Sequence, residues 1–144
     1  MSALYFAYGS NLSPARMRER VAGAEALGAA RLDGFRLCLD KFGRDGSGKA
    51  NLREDAAEVV WGALYRFDVG EWPRLDAFEP GYERIEVPIV LRGTALVAHT
   101  YHSHRLTQDP IPFAWYKHLL VEGARAHDLP DAWIRHLESL PERA

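Results

Sequence analysis

The sequence predicts an α+β fold, and two observations carry that reading. Strand-like segments come first while the longer helical patterns come late, and neighbouring strands adjoin as hairpins that pair antiparallel. At 144 residues the chain has enough length for one core and is read as a single domain, residues 1–144. Near the start, Leu4, Phe6 and Tyr8 alternate with Tyr5 and Ala7 as a half-buried strand requires. Gly9 then opens a turn, Ser13 is a suitable helix N-cap, and Pro14 suits the first helical position. Residues 35–40 alternate as a strand, and residues 59–67 are apolar on both faces of another. Between them, residues 41–49 form a glycine-rich polar stretch, the best candidate for a mobile surface loop.

Trp72 to Glu79 reads as a short helix with Pro73 in its first turn, ended by Pro80-Gly81. Ile85, Val87, Ile89 and Leu91 mark one face of the next strand, which turns through Arg92-Gly93-Thr94 into a strand over residues 95–102. Residues 113–128 are helical, and Pro130 opens a last short helix with Trp133, Ile134, Leu137 and Leu140 on its buried side.

Composition excludes several classes. An apolar content of 47% is that of an ordinary globular protein. The formal charge is −2 with arginines scattered among acids, a poor match to a nucleic-acid surface. No stretch approaches the roughly 18 apolar residues of a membrane span, and no signal-peptide pattern opens the chain. The single cysteine, Cys38, excludes an intramolecular disulfide and has no catalytic context, so a reducing cytoplasm is the expected location. Residues 41–49 lack the lysine-serine or lysine-threonine ending of a phosphate loop. His99, His102 and His104 raise a metal question. On a strand His102 and His104 share a face and His99 lies opposite, with no cysteine or nearby acid pair to complete a set, so no metal is expected.

Two segments carry candidate chemistry. The turn after Tyr8 presents backbone N–H groups able to hold a carboxylate or an oxyanion, although an ordinary strand-to-helix connection has the same pattern. At helical spacing Trp72, Leu75 and Glu79 share a face, which puts a carboxylate at the end of an apolar stripe. Burial there beside Phe78 and Pro80 would favour the neutral acid and move Glu79 toward the range of a general base. Asp76 lies beside the same stripe, and periodicity alone does not choose between the two.

Tyr5-Phe6-Ala7-Tyr8-Gly9-Ser10-Asn11-Leu12, then Val60-Trp61-Gly62-Ala63-Leu64-Tyr65, then Leu75-Asp76-Ala77-Phe78-Glu79 ahead of Tyr82, in this order, resemble the gamma-glutamylcyclotransferase family. The likeness runs from about Leu4 to the helix containing Tyr116 and is nearest the branch with tyrosine-glycine-serine-asparagine in the turn. It implies a strongly bent sheet or small β-barrel flanked by helices. It implies an enzyme that cyclises the gamma-glutamyl group of small gamma-glutamyl amino acids or peptides, releasing 5-oxoproline and the free amine without a cofactor. Carried over by motif, Tyr5, Phe6, Ala7, Tyr8, Gly9 and Ser10 wrap the gamma-glutamyl group. Glu79 is the general acid/base, and Tyr116 contacts substrate, although its helical face also fits a core tyrosine. Ser10 has no context that marks a nucleophile.

The short Pro80-Gly81 link ahead of Tyr82 leaves the leaving-group preference open, so the same chemistry on a larger gamma-glutamyl conjugate is an alternative. A binding module that keeps the pocket without turnover is another. The expected partner is a small molecule, with no nucleic acid and no membrane. A homodimer interface through Trp115 or Trp133 and packing of these residues within the monomer are both compatible with the sequence.

Overall fold

The computed structural model describes residues 1–144. Five strands close into a barrel in the order β1-β3-β2-β4-β5. They are β1 (Ser2–Ala7), β2 (Glu25–Phe42), β3 (Gly48–Asp68), β4 (Glu83–Leu91) and β5 (Thr94–His102). Successive pairs are antiparallel, and the ring closes where β1 meets β5 in parallel, Tyr5 opposite His99. Four helices surround it: α1 (Pro14–Arg20), α2 (Trp72–Ala77), α3 (Ala114–Ala126) and α4 (Asp131–Glu138). This is the α+β barrel flanked by helices that the motif resemblance implied.

β1 departs from the simple alternation of its sequence. Tyr5, Phe6, Ala7 and the following Tyr8 are all buried, so both faces of the strand's end are covered. The interior is filled by Phe6, Leu32, Val60, Leu64, Val87 and Ile89, while Leu12, Met17, Leu75, Leu120 and Leu137 carry the same cluster out into the helical layer. β2 begins ten residues before the predicted strand at Phe35. It runs for 18 residues and β3 for 21, far beyond an ordinary strand of about six. Register shifts at Ala26/Gly28, Asp33/Phe35 and Cys38/Lys41 bend this hairpin around the barrel.

The stretch expected to be mobile is instead a pinned hairpin end. Gly43 N–H donates to the Ser47 carbonyl at 3.0 Å, Asp45 accepts from both N–H and hydroxyl of Ser47, and Gly48 N–H donates to Ile111.

Ser13 caps α1 by accepting from Arg16 N–H, with Pro14 at the first helical position as expected. Between β1 and α1, Ser10–Leu12 makes a single 3₁₀ turn that lies against α3. The closeness of that contact depends on Gly123, where an added Cβ would stand 2.4 Å from the Leu12 carbonyl carbon. Since the obstacle is backbone, it cannot rotate away. Gly123→Ala is therefore expected to destabilise by about 2 kcal/mol, more than the roughly 1 kcal/mol that alanine gains over glycine in a helix. The measurement is thermal unfolding, with a Tm lower by a few degrees; an unchanged or higher Tm would mean that α3 shifts freely.

Candidate active site

The turn after β1 and the turn after α2 face one another at one end of the barrel. Between them is an inner chamber of about 30 Å³ lined by Tyr5, Tyr8, Gly9, Ser10, Asn11, Ala50, Glu79, Tyr82, Tyr101 and Tyr116. It joins an outer chamber of about 180 Å³, and Ser10, Glu79, Tyr82 and Tyr116 border both. Of the residues expected at the site, Tyr5, Tyr8, Gly9, Ser10, Glu79 and Tyr116 are brought together here. Phe6 and Ala7 are not. Their side chains are fully buried in the barrel, Ala7 pairs with Ala63, and the Phe6 carbonyl accepts from the Thr100 hydroxyl at 2.7 Å. Strand alternation would have sent Phe6 away from Tyr5.

Glu79 also sits differently from its helical reading. α2 ends at Ala77, so Glu79 belongs to the following turn, and Phe78 is 43% exposed rather than covering it. Its surroundings come instead from the first turn and α1. Asn11 Nδ2 donates to Glu79 Oε1 at 2.9 Å, and Arg20 Nη1 donates to the same oxygen at 3.0 Å. Arg20 also donates to Asn11 Oδ1, and its guanidinium lies over the Phe78 ring at 5.1 Å. Oε1 is thus fixed by two donors while Oε2 takes no protein partner. Burial raises the Glu79 pKa above the ordinary carboxylate value, and Arg20 and the Asn11 hydrogen bond only partly offset it. Asp76 stands elsewhere: it accepts from the Tyr101 hydroxyl at 2.6 Å, pairs with Arg84 and is half-exposed.

The tyrosines are built as donors. Burial pushes Tyr116 up to about 12 and raises Tyr5, Tyr8 and Tyr82 well above the ordinary tyrosine value, so all keep their protons at neutral pH. Tyr8 and Tyr82 spend theirs on the Tyr101 and Ala50 carbonyls, at 2.5 and 2.6 Å. Tyr116 accepts from Ala50 N–H at 2.9 Å and Tyr5 accepts from Asn11, which leaves both hydroxyl protons available to a ligand. Gly9 has a local reason to be glycine: a Cβ there would stand 2.9 Å from that of Ala50. The Gly9 N–H makes no hydrogen bond within the protein. Glu79 is accordingly the one chamber group whose ordinary chemistry is to accept a proton.

Asn11, Arg20, Tyr82 and Tyr101 are site residues that sequence reasoning did not single out, while Ala50 lies in the strand that the resemblance placed near the pocket. Arg20 carried a signal, since it shares the buried side of α1 with Met17 where an apolar residue is expected. The histidines lie apart from this chamber. The strand register sets Glu83 opposite His102, so an acid does approach His102 and His104, at 3.4 and 3.8 Å, while His99 faces Glu86. Cys38 is half-buried on β2, where burial raises its thiol pKa, the opposite of an activated nucleophile.

A closed five-stranded barrel flanked by four helices matches the gamma-glutamyl cyclotransferase-like fold. The chain belongs to the AIG2-like family, whose model matches residues 59–137. It is 29% identical to the gamma-glutamylcyclotransferase of Bos taurus, over 96% of this chain and 79% of that protein. The Mus musculus gamma-glutamylcyclotransferase matches at 29% over 95% and 78% of the two chains. A solved gamma-glutamyl cyclotransferase structure superposes with a TM-score of 0.92 at 26% identity, covering 99% of this chain and 90% of that one. These matches bear out the resemblance read from the motifs. No helix is long and apolar enough to cross a membrane.

Proposed function

We propose that this chain, as one domain over residues 1–144, is a gamma-glutamylcyclotransferase acting on gamma-glutamyl amino acids or short gamma-glutamyl peptides. The observation that carries the reading is Glu79, buried at the junction of the two chambers with Oε1 held by Asn11 and Arg20 and Oε2 free. The substrate's α-amine attacks its own γ-carbonyl carbon. Glu79 Oε2 takes the proton that the nitrogen loses as the new C–N bond forms. It returns that proton to the departing nitrogen as the old amide bond breaks, giving 5-oxoproline and the free amine.

Proximity supplies much of the acceleration, because the amine and carbonyl belong to one molecule that the chamber holds folded. The Tyr5 and Tyr116 hydroxyls and the Gly9 N–H are the neutral donors available to the glutamyl head group and to the tetrahedral oxyanion. The outer chamber of about 180 Å³ leaves room for a leaving group beyond the scissile amide, which supports a larger conjugate as the second reading. The test is incubation of the purified protein with gamma-glutamyl dipeptides and glutathione, following 5-oxoproline by mass spectrometry. Its appearance supports the reading; a folded protein that releases none from any of them would point instead to the larger conjugate or to a binding module.

A further inference from the structure

Five cationic side chains line the outer chamber: Arg16 and Arg20 from α1, Lys41 from the end of β2, Arg44 from the hairpin turn and Lys49 from β3. Two are occupied, Arg20 by Glu79 and Lys49 by Asp45 at 3.1 Å. Arg16, Lys41 and Arg44 have no carboxylate partner in the protein, and the Arg16 Nε is buried without any hydrogen-bond acceptor. Lys41 Nζ sits over the Tyr82 ring at 4.9 Å. Burial lowers its pKa, Glu79 partly offsets this, and Lys49, Arg105 and Arg44 lower it further, so positive charges are held close together here. The whole chain has a formal charge of −2, so this concentration is local. The only acid lining the outer chamber is Glu79 itself.

The inner chamber has the opposite character. Its lining has no cation, and a glutamyl head group held at its mouth by Tyr5, Tyr116 and the Gly9 N–H would meet neutral donors. The free cations therefore face whatever lies beyond the scissile amide. One carboxylate would satisfy one of them; three, drawn from three separate elements, match a group with more than one negative charge.

We propose that the preferred leaving amine carries two carboxylates, as in gamma-glutamyl-glutamate or gamma-glutamyl-aspartate, and that Arg16, Lys41 and Arg44 determine this specificity. The inference rests on the cyclotransferase reading and deepens it. A dianionic leaving group supplies counter-charge to the Arg16 guanidinium and relieves the repulsion around Lys41. Because these contacts are made before and during the reaction alike, the preference belongs mainly to KM.

The test compares gamma-glutamyl-glutamate with gamma-glutamyl-glutamine, nearly identical in shape and differing by one charge, through 5-oxoproline release by the wild-type protein and a Lys41→Gln/Arg44→Gln variant. Wild type is expected to favour the glutamate peptide by about tenfold in kcat/KM, the combined effect of a few partly exposed ion pairs, with the difference in KM. The variant should reduce that ratio to within about threefold, and added salt should reduce it in wild type as well. Equal kcat/KM for the two peptides in wild type overturns the inference while leaving the reaction intact. A ratio unchanged in the variant overturns the assignment to Lys41 and Arg44. No 5-oxoproline from either peptide overturns the cyclotransferase reading, and this inference with it.

Discussion

Glu79→Gln is expected to lower 5-oxoproline release by about 10²- to 10⁴-fold, the range for loss of a general acid/base, while binding of the substrate stays close to that of wild type. Glutamine keeps an oxygen where Glu79 Oε1 accepts from Asn11 and Arg20, so the turn has no reason to move. What is lost is the second oxygen, replaced by an amide nitrogen that cannot take a proton. Turnover with the wild-type and variant proteins, beside substrate binding by calorimetry, separates the two effects. Asp76→Asn is the matched control. Tyr101 can still donate to the remaining carbonyl oxygen, and Asp76 does not line the chamber, so activity should change by no more than about twofold. A dead Asp76→Asn beside an active Glu79→Gln would reverse the assignment of the base.

The parts of this site that were legible in the sequence are those carried by contiguous motifs. Tyr5, Tyr8, Gly9 and Ser10 belong to one strand and its turn, and Glu79 lies in the segment that ends α2. Arg20 was not legible as a partner of Glu79, because the two are 59 positions apart and meet only when α1 folds back over the turn. Asn11 lies inside the quoted motif, but nothing local indicates that its side chain bridges Tyr5 and Glu79. The fold shows the same division. β4 and β5 alternate cleanly and are joined by a tight turn, and both were readable. The first half of β2 is rich in Ala and Gly, which have little intrinsic strand preference. It is a strand because β3 and β4 flank it in a closed barrel, which is tertiary information.

The buried Glu79 is also a statement about stability. A carboxyl whose folded pKa lies above its unfolded value contributes stability that is fully present below the unfolded pKa and lost as pH rises through the folded one. The ionised form needed for catalysis is therefore the form the fold tolerates least. Arg20 and Asn11 moderate that conflict without removing it, and the same two contacts aim the carboxylate.

Arg20→Met follows from this balance and should act on the pH profile as well as on rate. Arg20 is the largest of the influences holding the Glu79 pKa down, so an uncharged replacement lets burial raise it further. The acid limb of kcat/KM, where Glu79 becomes protonated as pH falls, should therefore move to higher pH than in wild type. Each unit it moves is a tenfold loss at any fixed pH below it. Loss of the bond that positions Oε1 adds to this, and the combined effect near neutral pH is expected on the order of 10²-fold. Arg20→Lys separates charge from shape: it keeps the cation, so its limb should stay near that of wild type even if the rate falls. A purely structural role for Arg20 would lower kcat/KM equally at every pH in both variants. Profiles of wild type, Arg20→Met and Arg20→Lys that fall in parallel would show that Arg20 supports the turn without tuning the base.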